Sequence, residues 1–353
     1  MMIQRRQLIV AFTMHSRCKA FRPVLVTTTI TRRAATASSS SPTILASTGS
    51  DDPTFNNSRN YEWLKQSRPI RIYAKPLTLD ITHIKSRKDA LSPHSKIVHF
   101  QRHGQGIHNE IYAQWTQSTG MPLNLSETDP AKNPLLLPNV IDAPLTPKGI
   151  SQCQDQYHRL ASNLRCVERI IVSPLVRALQ TAQLTFRDHL PAEFVESEEF
   201  YINGGETELT KTTTTLWTAH EGCREELGIL LCNKRRPLSE TKLDFPHVDF
   251  THLPHHGEED LTWLEYANNF PQDEAQRESM EDMSHRVYDF LVSFLRHLPE
   301  REVAVVGHSA WLHAMCNAVL DDGNDVHCEG DTIDTGMFGQ AEIRTLELTF
   351  MDK

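Results

Sequence analysis

Three short β-branched runs, at 96–100, 168–172 and 302–306, lie far apart in the chain. Between and beside them lie helix-like stretches at 147–163, 175–188, 215–228, 278–298 and 310–320. Strands separated by helices cannot be joined by tight hairpins, so they pair in parallel through crossover helices. Parallel strands of this kind are covered on both faces. The expectation is an α/β fold in three layers, α/β/α, with a mostly parallel central sheet. A last β-like run, Ala341 to Phe350, would add an edge strand. Thr146-Pro147 reads as an N-cap with proline at the first helical position, and Ser173-Pro174 repeats that logic.

The 353 residues are 39% hydrophobic, enough for a substantial core in one large domain or two small ones. The folded body is expected over 96–350. Residues 51–95 are polar and punctuated by Pro69, Pro76 and Pro93, and read as a linker and lead-in with a short helix near Tyr61–Gln66. The first fifty residues hold Arg5, Arg6, Arg17, Lys19, Arg22, Arg32 and Arg33 and no acid. They carry +7 of a net charge of −9, which leaves −16 on the rest. An Arg-rich, Ser/Thr-rich, acid-free start resembles a transit peptide. It points to a plastid or mitochondrion; read as a disordered tail instead, it leaves the protein cytoplasmic.

No run approaches the roughly 20 apolar residues that span a bilayer, so no membrane partner is expected. The acidic body argues against nucleic acid. Seven cysteines without C-x-x-C spacing suggest reduced thiols. His247, His252, His255 and His256 lack regular spacing and read as a polar surface loop, so no metal is expected there.

The chemistry-bearing residues sit where β-like runs end. Arg102-His103-Gly104 follows Ile97–Phe100, and His308 follows Val303–Gly307. In parallel sheets ligands bind at the carboxyl edge of the strands. His103 would attack phosphorus through a neutral ring nitrogen, Arg102 would bind the phosphoryl oxygens, and the Asn109 amide would donate to them. Gly104 and Gly106 would let the backbone approach a phosphate. Arg177 lies near a helix start, where anions are favoured. His308 would stabilise charge on the transferring oxygens.

These pieces make the chain resemble the histidine phosphatase superfamily, with its phosphoglycerate mutase-like fold. The matching motifs are Arg102-His103-Gly104 with Asn109, Asp142–Gly149 with Gln152, Ser173-Pro174-Leu175 with Arg177 and Gln180-Thr181-Ala182, and Gly307-His308-Ser309. The resemblance implies that His103 is a phosphohistidine nucleophile, and that Arg102, Arg177 and His308 complete the phosphate pocket. It also implies a carboxylic acid that protonates the leaving oxygen, in a helix within Cys223–Gly228: Glu225, with Glu226 and Glu221 behind it. No cofactor or metal is implied. Lys234, Arg235 and Arg236 would line the pocket mouth and recognise a second acidic group.

The expected function is hydrolysis of a phosphomonoester, on a small phosphorylated metabolite or phosphopeptide. The alternatives are a phosphoglycerate mutase and a non-catalytic phosphate-binding module. Gln105-Gly106-Ile107-His108 differs from the Glu-Ser/Thr pattern common in the mutases, which favours the phosphatase. The sequence does not fix the substrate or the oligomeric state.

Overall fold

The computed structural model describes residues 61–191, 194, 215–253, 258–268, 277–321 and 332–353. Residues 1–50 lie outside these, and so does their reading as a transit peptide. Six strands form one sheet: β1 (Ile70–Pro76), β2 (Ser95–Arg102), β3 (Arg169–Val172), β4 (Leu216–Ala219), β5 (Glu302–Gly307) and β6 (Ile343–Asp352). Their order is β1-β6-β2-β5-β3-β4. The four neighbours β2, β5, β3 and β4 pair in parallel. β6 runs antiparallel to both β1 and β2.

The helices are α1 (Glu62–Ser67), α2 (Ile81–Ala90), α3 (Ile107–Thr119), α4 (Pro147–Leu160), α5 (Val176–Thr185), α6 (Leu238–Asp244), α7 (Leu261–Asn268), α8 (Met280–Asp289) and α9 (Ser309–Ala318). None among the described residues is long and apolar enough to cross a membrane. The strand period of two sorts side chains between two cores. Val303 and Val305 of β5 pack with Met283 and Val287 of α8 and with Trp311 and Met315 of α9. Ala304 and Val306 turn the other way, onto Ala178, Leu179 and Ala182 of α5. Helices therefore cover both faces, which makes the fold a three-layer α/β/α sandwich.

α4 starts as its sequence requires: Pro147 opens it and the Thr146 hydroxyl accepts the Gly149 N–H at 3.1 Å. α8 runs on through a wide π-turn segment, Phe290–Phe294, and a 3₁₀ turn, Leu295–His297. The helical stretch expected at 278–298 is thus one continuous run.

Three expectations need correction. Residues 51–95 are not all linker: α1, β1, α2 and the start of β2 lie within them. β1 alternates apolar and charged residues and is bounded by prolines, which an edge strand tolerates. It pairs along its whole length with β6, from Ile70↔Asp352 to Pro76↔Leu346. β6 is consequently an interior strand, and β1 takes the edge. Residues 215–228 form no α-helix, only a 3₁₀ turn at Glu221–Cys223. Trp217-Thr218-Ala219 pairs with Ile170-Ile171-Val172 instead. Ile72 is 1% exposed and belongs to the core that holds Trp311. Ile72→Ala should therefore lower the unfolding free energy by about 2–5 kcal/mol, read from urea transitions. A neutral result would return this segment to the status of a linker.

Candidate active site

The parallel register sets the geometry of the site. Arg102, the last residue of β2, lies opposite Gly307, the last of β5. The next residues, His103 and His308, emerge side by side, and the His103 N–H still bonds the Gly307 carbonyl at 3.0 Å. Their rings lie 5.1 Å apart at 60°. β3 ends level with Val306 and Ala219, so Ser173, α5 and the segment after β4 leave from the same edge. Four neighbouring strands thus lead the chain segments that carry His103, Arg177, Glu225 and His308 away from one edge of the sheet.

His103 is almost wholly buried. Its Nδ1 donates to the Gly104 carbonyl at 2.6 Å, which places the ring proton there. Nε2 is left with a lone pair, met at 3.3 Å by the Arg177 Nε–H. Burial, with Arg177 and Arg102 adding to it, holds His103 well below its ordinary pKa. The same order of causes, burial first and then Arg177, applies to His308. Both imidazoles are therefore neutral at pH 7.

Arg102 and Arg177 are buried guanidiniums to which no carboxylate among the described residues is hydrogen-bonded. Arg177 donates to the Cys232 carbonyl at 2.7 Å and to Asn233 Oδ1 at 2.9 Å. Arg102 donates to the Phe338 carbonyl at 2.6 Å, and its Nε is buried without a partner. Burial lowers the pKa of each, yet an arginine stays charged. Glu225 and Glu342 near Arg102, and Glu225 and Asp142 near Arg177, offset part of these charges from a distance, and the uncommitted N–H groups favour a further anion. The His308 Nε2 meets the Ser173 hydroxyl at 2.7 Å, while its Nδ1 is buried without a hydrogen bond. Ser173 therefore serves His308 and does not cap α5. Asp142 takes over the cap, accepting the Val176 N–H at 2.8 Å.

Of the three candidate acids only Glu225 faces the histidines. Its Oε2 lies 3.9 Å from His308 Nδ1. Glu221 pairs with Arg224, and Glu226 pairs with Arg277. The segment that carries Glu225 is pinned by side chains the sequence reading passed over. Arg286 donates to the Arg224 carbonyl at 2.7 Å while gripping Glu278. Arg224 clamps Asp260, and the Trp311 indole donates to the Gly222 carbonyl at 2.6 Å. His103, Glu225 and His308 offer ligand atoms all within 4.8 Å of one another, the spacing of a possible cation site. The two neighbouring guanidiniums favour an anion there instead.

Other expectations fare differently. Asn109 closes the first turn of α3: its Oδ1 accepts the Gly106 N–H at 3.0 Å, which leaves its NH₂ group to donate. Arg235 and Arg236, expected at the pocket mouth, spend donors on partners within the protein. Arg235 is buried and donates to the carbonyls of Arg236 and Glu259, while Arg236 pairs with Asp244. Lys234 stacks 4.8 Å above the Trp263 ring. Gly104 serves packing: a Cβ there would lie 2.6 Å from the Gly149 carbonyl oxygen of α4. His247 is half-buried against Trp217, ring centroids 4.9 Å apart, and burial lowers its pKa to about 4. His252 rests on Phe294, and His255 and His256 lie outside the described residues.

The family model described as the histidine phosphatase superfamily (branch 1) matches residues 126–214 and 244–328. That match takes in Arg177 and His308 and leaves His103 and Glu225 to geometry. A phosphoglycerate mutase-like protein of Arabidopsis thaliana is 29% identical over 233 residues, 64% of this chain and 76% of the relative. A second from the same plant, phosphoglycerate mutase-like protein 1, is 29% identical over 71% of this chain and 80% of its own length. A solved structure, mycobacterial hydrolase 1, is 16% identical with a TM-score of 0.37, covering 73% of this chain and 96% of that one.

The neutral, buried histidines make a sign for stability. In the unfolded chain each titrates near 6.5; folded, it stays neutral below that. As pH falls from 7.5 to 5.5 the unfolded chain binds more protons, so stability drops by about 1 kcal/mol for each of His103 and His308. Inorganic phosphate, an opposite charge that raises both pKa values, should flatten the drop. Urea midpoints at the two pH values, with and without phosphate, check this; a midpoint independent of phosphate would contradict it.

Proposed function

The chain belongs to the histidine phosphatase superfamily, and we propose that it hydrolyses a phosphomonoester through a covalent phosphohistidine on His103. One observation carries the reading. Two buried guanidiniums, with no carboxylate hydrogen-bonded to them among the described residues, flank an imidazole whose Nε2 lone pair is held only by a long Arg177 contact at 3.3 Å. An incoming phosphoryl group displaces the long Arg177 contact and takes the unspent N–H groups of Arg102, Arg177 and His308. Phosphoryl transfer asks for this positioning and charge stabilisation above all.

In the first step His103 Nε2 bonds to phosphorus and the bond to the leaving oxygen breaks. Glu225, in its acid form, gives that oxygen its proton. In the second step water attacks the phosphohistidine, Glu225 takes a proton from the water, and phosphate leaves with His103 restored. The commitment of Arg235 and Arg236 to carbonyls and to Asp244 supports hydrolysis over a mutase, which has to hold a second acidic group of its substrate through the return transfer. The substrate class is a small phosphorylated metabolite or a phosphopeptide.

Two experiments test this. His103→Ala should abolish turnover, and acid-labile, base-stable phosphate labelling after a quench should vanish with it. Labelling that survives the change would move the nucleophile elsewhere. Glu225→Gln should slow alkyl phosphates much more than p-nitrophenyl phosphate, by a large part of the ~10²–10⁴-fold that general acids contribute. The reason is that a phenolate leaves without help and an alkoxide does not. Equal losses on both substrates, or a differential that appears only in Glu221→Gln or Glu226→Gln, would reassign the acid.

A further inference from the structure

A third imidazole stands in the same pocket. His108 lies in the first turn of α3, its ring 5.4 Å from that of His103 at 54°. It is 9% exposed, neither ring nitrogen has a hydrogen-bond partner, and Nδ1 is completely covered. Gly106 makes the room for it. A Cβ at 106 would lie 2.6 Å from His108 Cε1, 2.7 Å from Nδ1 and 3.4 Å from Arg177 Cδ. The ring therefore sits between the Gly106 backbone, the stem of Arg177 and the nucleophile.

A residue that served only as a wall behind His103 would be an aromatic hydrocarbon. An imidazole there buries a polar nitrogen without a partner, a standing cost unless a ligand completes it. Burial, then Arg177, His103 and Arg102, keep this ring neutral. It thus carries one N–H and one lone pair. Arg102 and Arg177 can only donate, and the one lone pair on His103 is the attacking one. Among the described residues no group hydrogen-bonds His108 Nδ1, and an anion entering the pocket would bring acceptor oxygens beside the ring. The first turn of a 13-residue helix also favours an anion at this position.

We propose that His108 donates its ring N–H to an oxygen of the phosphoryl group in transfer, beside Arg102, Arg177 and His308. This rests on the phosphohydrolase reading and adds a catalytic residue to it. Three buried nitrogens without hydrogen-bond partners, on Arg102, His108 and His308, are then explained by one ligand.

His108→Phe keeps a ring of similar size and removes the N–H. Measured on the full chain, it should lower kcat/KM for p-nitrophenyl phosphate by roughly 10- to 100-fold, the range for a hydrogen bond to a charged group. Affinity for orthovanadate, which imitates the five-coordinate transition state, should fall by a similar factor. His108→Gln, which restores an N–H, should recover part of both losses. Should His108→Phe not fold, the unchanged chain carries the test: a His108 ring N–H signal protected from exchange should appear in its NMR spectrum on adding inorganic phosphate. An active chain whose His108→Phe variant hydrolyses and binds vanadate like the original, or one with no such signal, overturns the role of His108 alone. A chain that neither hydrolyses phosphomonoesters nor binds phosphate overturns the functional reading together with it.

Discussion

The pairing of Arg102 with Gly307 at the ends of β2 and β5 is the constraint on which the site depends. In a parallel pair, residues that follow matched positions leave the sheet in the same direction. His103 and His308, 205 positions apart in the chain, become neighbours through one register and nothing else. Both strands are buried along their whole length. A slip by one residue would turn every Val of β5 from one core to the other. The cost of that slip, spread over Val303 to Val306, is what holds two imidazole rings 5.1 Å apart.

Charge balance follows from the same arrangement. The guanidiniums of Arg102 and Arg177 are taken out of water and given carbonyls and an amide oxygen, not carboxylates. Such partners hold the geometry without cancelling the charge. The surrounding histidines cannot add to it, because burial and the arginines keep them neutral. The pocket is thus a fixed positive field with uncommitted N–H groups, and its natural complement is a dianion with several oxygens.

Much of this was legible in the chain. β-branched runs gave the central strands because parallel strands need apolar residues on both faces. His103, His308 and Arg177 were legible because each lies just past such a run. What was hidden depended on distant partners. β1 reads as a linker because an edge strand alternates Ile with Arg and Tyr and tolerates flanking prolines. Residues 215–228 read as a helix from their acids, whereas pairing of Trp217 with Ile170 decides their state. Arg235 and Arg236 look like free cations in sequence; Glu259 and Asp244 claim them only in the fold. His108 lies one residue before Asn109, and only its burial and its ring contact with His103 separate it from a surface histidine.

The proposed nucleophile and the proposed acid are held by different physics. His103 sits at the end of a central strand, and its ring is fixed by the Gly104 carbonyl next to it. Glu225 rides on a segment with no regular structure. Its place comes from buried side chains that reach in from elsewhere: Arg224 on Asp260, Arg286 on Glu278 and nearby carbonyls, and Trp311 on Gly222. Breaking one member of a buried pair strands the other charge, so this segment is rigid only while all the pairs are intact. In the proposed reaction the sheet would set where phosphorus is attacked, and a set of buried ion pairs would set where the leaving oxygen receives its proton. Those two requirements can change separately. On the proposed mechanism, repacking around Glu225 would alter which alcohols are released while the pocket at the ends of β2 and β5 stays as their register fixes it.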